Sequence, residues 1–341
     1  MGLKKIYISL LAVILALSVV SCTPAAQVVD VSPTTPSPNV TDGLDNQDNS
    51  QPEPSNTPVS TPEPENTPLP TPKPTEKPKK NEPDSSPVSD FPDVEWESIV
   101  IPEEFLNLSY YYSAKHERYQ RYKALNPDYD FDKAILYVNI GLDKPYYNDI
   151  REIKEPDRLD VLVNKYNKLP DNYKPQLEEI PSSLLAPGVG KQYLRKEAKE
   201  AFEKMHNDAK KLGLNITVYG TYRSIQTQHD IWNRKVKSGR TVEDVDRLNS
   251  RGGHSEHHTG LAVDVIKNDY TMESSKEFEW YKTNAHKYGF IIRYPKGKEN
   301  ITGYSYEPWH LRYLGPELAT AVYESGLSYE EYYAIYIEPF I

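Results

Sequence analysis

Residues Ser250–Val265 read SRGGHSEHHTGLAVDV, and this stretch decides how the folded part of the chain is to be understood. Three of the chain's eight histidines fall within it, His254, His257 and His258. Glycines at 252, 253 and 260 make residues 250–260 a loop, and Leu261–Ile266 then reads as a strand. On that strand Ala262 and Asp264 share one face, while Val263 and Val265 share the other. The valines suit a core, so Asp264 faces a site beside a small residue. A carboxylate on a buried strand is costly unless it is paired or metal-bound. His257 and Asp264 are seven positions apart and would face opposite ways on one continuous strand. A turn at Gly260 removes that constraint.

Helix and strand signals alternate on both sides of this loop. Tyr193–Leu212 carries Ala198, Ala201, Phe202, Met205 and Ala209 at helical spacing and stops at Gly213. Ile216–Tyr219 reads as a strand closed by Gly220, and Ile225–Val236 as a second helix. Glu277–Tyr288 is a third helix, stopped by Gly289. Phe290–Tyr294 and Trp309–Tyr313 read as strands, followed by helices near 316–325 and 328–337. Further upstream, Ala134–Asn139 and Val161–Asn164 read as short strands, and Asn164–Pro175 as an irregular, proline-punctuated entry. With no regular βαβ repeat, the expected class is α+β rather than a doubly wound sheet.

A second cluster is Tyr306–Tyr313, YEPWHLRY. Pro308 excludes a helix interior and biases Glu307 to an extended conformation, which puts His310 on a strand. Two histidines and a carboxylate, His257, Asp264 and His310, make an open zinc site that leaves a fourth position for water. Glu307, a nearby carboxylate outside that set, suits a general base. The HExxH helix motif is absent. Each histidine taken alone is as readily a surface or structural residue, and His254 and His258 have no partner at a telling spacing.

The pattern Ser255-x-His257-x-x-Gly260-x-Ala262-x-Asp264, followed by Glu307-x-x-His310, resembles the zinc D-alanyl-D-alanine carboxypeptidases of the VanY-like branch of peptidase family M15. Tyr222–Gln228 (YRSIQTQ) is similar to that family's YRS-x-x-x-Q segment, and residues 286–313 to its C-terminal stretch. The likeness covers about 160–313. It implies a small antiparallel sheet flanked by helices, carrying one Zn²⁺ on His257, Asp264 and His310. It implies Glu307 as catalytic base and Arg223 as the group that polarises the scissile carbonyl. Ser255 and Gln228 would hold the substrate's terminal residue and its carboxylate. The implied substrates are peptidoglycan stem peptides.

The amino terminus supplies a location. Lys4 and Lys5 precede the apolar run Ile6–Val20, of export-signal length and short for a bilayer span. Val19-Val20-Ser21-Cys22 resembles a bacterial lipobox, with Cys22, the only cysteine, as the lipidated residue. Residues 23–97 hold 17 of the 29 prolines and a net charge of −10 (14 acids, 4 lysines), and are expected to be a disordered linker. The domains expected are therefore 1–22 signal peptide, 23–97 linker, 98–181 Tyr-rich extension packing on the core, and 182–341 catalytic domain. The location expected is the outer face of a bacterial membrane, through the lipid anchor. Residues 98–341 carry 34 basic and 36 acidic residues, so no basic footprint for nucleic acid exists, and a monomer is expected. One cysteine excludes a disulfide framework and a Cys-rich zinc module.

Three function classes compete. A D,D-carboxypeptidase leads, with an L,D-carboxypeptidase acting on tetrapeptide stems as its near alternative. A non-catalytic wall-binding lipoprotein would be expected to lack the base, and Glu307 is present. A solute-binding lipoprotein would not carry ExxH beside SxHxxGxAxD.

Overall fold

The computed structural model describes residues 95–341. The signal, the lipobox cysteine and nearly all of the linker lie outside the described residues. Among the described residues, no helix is long and apolar enough to cross a membrane.

The first part is helical. It holds α1 (Glu103–Leu106), α2 (His116–Leu125) and α3 (Phe131–Ile140). Two residues each form β1 (Arg151–Glu152), β2 (Asn167–Lys168), β3 (Glu178–Glu179) and β4 (Tyr193–Leu194). The remainder runs α4 (Lys196–Lys211), β5 (Val218–Gly220), α5 (Ile225–Lys237), α6 (Val242–Leu248), β6 (Ala262–Val265), α7 (Lys276–Asn284), β7 (Phe290–Tyr294), α8 (Glu299–Thr302), β8 (Glu307–Tyr313), α9 (Pro316–Ser325) and α10 (Tyr329–Tyr336).

Four strands form one antiparallel sheet in the order β5-β6-β8-β7. One face meets the main core, where Phe202, Met205, Ile216, Val263, Val265, Phe290 and Leu311 pack. The α+β class with a small antiparallel sheet is thus the observed one. Register does the functional placing: Asp264 on β6 lies directly opposite His310 on β8, and Gly220 on β5 opposite Asp264. A Cβ added at Gly220 would stand 3.2 Å from Asp264 Oδ2, so this edge is crowded on the site side.

Two expectations are corrected. Ala134–Asn139 is the middle of helix α3, not a strand. Asp130 caps it by accepting from the Lys133 N–H, and Gly141 ends it in the left-handed conformation. Every residue from Ala134 to Ile140 is buried, so the segment lacks the polar face that would reveal a helical period. Val161–Asn164 belongs to no strand. The Leu159 and Val161 carbonyls accept from Arg312 Nη2 at 2.8 Å, and Asn164 Oδ1 takes the Tyr166 and Asn167 N–H groups at 3.0 Å. Side chains satisfy this backbone in place of a ladder.

Candidate metal centre

The Glu256–Thr259 segment is a single 3₁₀ turn, capped by Ser255 and ended by Gly260 at φ 67°. A Cβ at Gly260 would meet Leu177 Cδ2 at 2.6 Å, so both the backbone and the space call for glycine. The turn aims His257 at the strand that follows. His257 donates from Nδ1 to the Thr221 carbonyl at 2.6 Å, which leaves Nε2 facing the site. His310 presents Nδ1.

The donor atoms of His257, Asp264 and His310 lie within 4.8 Å of one another, and all three residues are buried. His257 Nε2 is 3.4 Å from Asp264 Oδ2, and His310 Nδ1 is 3.4 Å from Asp264 Oδ1. A tetrahedron with metal–ligand distances of about 2.1 Å has edges of about 3.4 Å. Asp264 Oδ1 is buried without a hydrogen-bond partner, as a carboxylate oxygen awaiting a cation would be. Geometry and donor set both fit zinc.

Electrostatics agree. Burial, then the Arg223 charge, brings His257 down to about 4, so it is a neutral ligand. Burial alone would lower His310 too, but the carboxylates of Asp264, Glu256 and Glu307, 3.4–3.5 Å from its ring nitrogens, raise it to about 9. Metal must displace that proton, so affinity falls as pH drops below about 9. Zinc uptake at pH 7.5 is accordingly expected to release protons, measured by calorimetry in buffers of different ionisation enthalpy. Uptake without proton release would contradict a protonated His310 in the metal-free site.

Glu307 opens β8 with Oε2 3.5 Å from His310 Nδ1. Burial, reinforced by Asp264 and opposed by His310, pushes its carboxyl up to about 7. Arg223 Nη2 donates to Asp264 Oδ2 at 2.8 Å and lies 3.0 Å from His257 Nε2. Gln228 is 1 % exposed and both ends of its amide are engaged: Oε1 accepts from Arg223 Nη1 at 3.2 Å, and Nε2 donates to the Ser250 carbonyl at 2.8 Å. Ser255 Oγ accepts from the His257 N–H at 3.4 Å, leaving its own hydrogen free to donate. These residues line a cavity of about 290 Å³. His254 and His258 are buried structural residues, held by the Asn164 and Arg223 carbonyls at 2.8 and 2.7 Å.

Sequence reasoning missed Glu256. Its Oε1 accepts from Arg293 Nε at 2.7 Å and Arg312 Nη1 at 2.6 Å, and its Oε2 is 3.5 Å from His310 Nε2. Arg293 forks onto Glu330 of α10 at 2.9 and 2.6 Å. Burial alone would raise the Glu256 carboxyl, but Arg293 and Arg312 hold it below its ordinary value. Glu256 thus faces His310 from behind, the place from which outer carboxylates orient metal-bound histidines. Glu256→Gln is expected to weaken zinc binding about 10–100-fold. It should also lower stability by about 3–5 kcal/mol, because it leaves a buried guanidinium short of charge. Competition against a chelator and thermal melts check both; unchanged affinity would remove Glu256 from the centre.

A His₂-carboxylate set beside an antiparallel sheet, with a partly buried glutamate next to it, fits a mononuclear zinc hydrolase. Comparison with known proteins narrows this. Residues 191–316 match the model of the family VanY, D-alanyl-D-alanine carboxypeptidase. YodJ of Bacillus subtilis (strain 168), whose name assigns it provisionally as a carboxypeptidase, is 39% identical over 209 residues, 57% of this chain and 76% of that one. The D-alanyl-D-alanine carboxypeptidase of Enterococcus faecalis (strain ATCC 700802 / V583) is 33% identical over 180 residues, 50% of this chain and 64% of that one. The solved LdcB LD-carboxypeptidase is 38% identical at a TM-score of 0.52, over 55% of this chain and 91% of that one. The chain belongs to the VanY family of D-alanyl-D-alanine carboxypeptidases, and is a zinc peptidase.

Proposed function

We propose that this carboxypeptidase removes the C-terminal D-alanine from peptidoglycan stem pentapeptides outside the cell, tethered through a lipid on Cys22. The observation that carries the catalytic reading is Glu307, its side chain 13% exposed, 3.5 Å from a metal-ligand nitrogen and lining the same cavity. Zinc, when bound, supplies Lewis acidity and brings the pKa of a water to about 7. Glu307 accepts a proton from the attacking water. As the new C–O bond forms, Arg223 meets the charge developing on the scissile carbonyl oxygen with a fixed fork of donors. Glu307 then returns the proton to the amide nitrogen, the C–N bond breaks, and D-alanine leaves as the free amine. Burial raises the Glu307 carboxyl before metal binds, the direction that helps a base return its proton. Ser255 offers its hydroxyl to the terminal residue. Gln228 acts through Arg223, because its own amide is engaged inside the protein.

A second reading, L,D-carboxypeptidase action on tetrapeptide stems, is favoured by the likeness to an LD-carboxypeptidase structure. Mass spectrometry of defined tetra- and pentapeptide stems, incubated with the zinc-loaded protein, separates the two. Loss of alanine from the pentapeptide, stopping at the tetrapeptide, supports D,D action. Loss from the tetrapeptide alone supports L,D action.

The tether reading rests on the lipobox at the only cysteine and on 75 following residues that could span at most roughly 230 Å if extended. Cys22→Ser is expected to release the protein from the membrane fraction or leave it as an unprocessed precursor. Fractionation that stays unchanged, with normal processing, would argue against lipid attachment.

A further inference from the structure

A carboxypeptidase must recognise the free carboxylate at the end of its substrate, and the cavity has two lining cations to do so, Arg223 and Lys235. Arg223 is already directed at Asp264, His257 and Gln228. Lys235 is different. It lies on α5 seven residues after Gln228, two helical turns on, and so shares the cavity-facing side of that helix. It is only partly exposed. Among the described residues, no carboxylate comes within ion-pair distance of its Nζ, and no hydrogen bond or aromatic ring engages it. The charged groups around it are mostly of its own sign. Burial lowers its pKa, as do Arg240, Arg223 and Arg234, against a smaller opposing effect from Glu307. Of these neighbours, Arg240 is paired with Asp244 at 2.7 Å, so its charge is largely met. A half-buried ammonium without a counter-ion, among like charges on the wall of a substrate cavity, is placed to receive an anion.

We infer that Lys235 is the charge partner of the substrate's free C-terminal carboxylate, and so enforces release from the peptide end only. The inference rests on the carboxypeptidase reading and deepens it. Lys235 also supplies the charge that Gln228 lacks, since a Gln amide offers only neutral hydrogen bonds and one of its two N–H donors is given to the Ser250 carbonyl. Ser255 would add one hydroxyl hydrogen bond to the same carboxylate. Lys235 touches neither the metal ligands nor the base, so it contributes to binding and not to proton transfer.

The test uses the zinc-loaded chain carrying Glu307→Gln, so that peptides bind without turnover, with Lys235 either intact or replaced by Gln or Arg. Calorimetry measures each protein against one stem peptide in three forms: free acid, C-terminal amide, and free acid with any upstream carboxyl amidated. With Lys235 intact, the acid should bind about 10–100-fold more tightly than its C-terminal amide, as expected for a charged hydrogen bond. Lys235→Gln should remove most of that preference, and Lys235→Arg should restore part of it. With the base present, Lys235→Gln should raise KM and leave kcat within a few-fold. Three results would overturn the inference: a preference that survives Lys235→Gln, a preference that follows the upstream carboxyl instead, or no binding of the acid. If the preference depends on Lys235 while the parent hydrolyses no stem peptide, the proposed activity fails and the assignment of Lys235 stands.

Discussion

Glu307→Gln is expected to keep its zinc and lose turnover by about 10²–10⁴-fold, the usual cost of removing a general base. The amide keeps the size of the side chain and one acceptor, but it cannot take a proton from water at neutral pH. Zinc retention is expected because the cluster is complete without Glu307: His257, Asp264 and His310 hold donor atoms within 4.8 Å of one another. Glu307 lies next to His310 and is not needed to close the set. The two readouts must therefore separate, with metal content unchanged and rate collapsed. A variant within a few-fold of the parent would exclude Glu307 as the base. A variant that loses zinc together with activity would make it a ligand.

The second large effect concerns residues 98–181. A fragment beginning at 98 is expected to fold and to hydrolyse soluble stem peptides as the full chain does. A fragment beginning at 182 is expected not to fold. Segment 159–169 is bonded into the later part of the chain: Leu159 and Val161 carbonyls to Arg312, the Asp160 carbonyl to Tyr329, the Asn164 carbonyl to His254 and the Leu169 N–H to Gly253. Lys165 donates to the Asp246 carbonyl at 2.8 Å. Helix α3 also packs on α10, with Leu136, Tyr137 and Ile140 against Ala334. Each buried group left unpaired costs about 1–3 kcal/mol. The sum is comparable with the whole stability of a typical domain, about 5–15 kcal/mol. Arg312 is the sensitive point, because it also holds Glu256 behind His310. Circular dichroism and zinc content of the two fragments decide this. A cooperative melt and full activity from the 182 fragment would make 98–181 a separate module.

The parts of the fold written as periodic or punctuated segments were legible. Phe290–Tyr294 is a strand with the limits expected, and Gly289 ends the preceding turn in the left-handed conformation. The metal cluster was legible because its three residues are of ligand type and Gly260 supplies the turn between them. Helix α3 was not, since an apolar run buried all round has no period to read. Its caps, Asp130 and Gly141, eleven positions apart, were the available signal, because that spacing is too long for a typical strand. Glu256 was hidden between Ser255 and His257. Arg293 and Arg312 pointed to it, since each lies in an apolar strand segment and a buried arginine requires a carboxylate. The family resemblance implies Gln228 as a contact to substrate, and no spacing rule shows that its amide also engages Arg223 and Ser250.

Hydrolysis of the terminal peptide bond at this site is expected to depend on zinc. The most direct measurement is free D-alanine released from a stem pentapeptide by the protein before and after chelation, with zinc content recorded in parallel. Release is expected from protein holding one zinc per chain, with loss of release when zinc is removed and recovery when zinc is returned. Release that survives complete removal of zinc would contradict this expectation, as would no hydrolysis of any stem peptide by protein holding one zinc per chain.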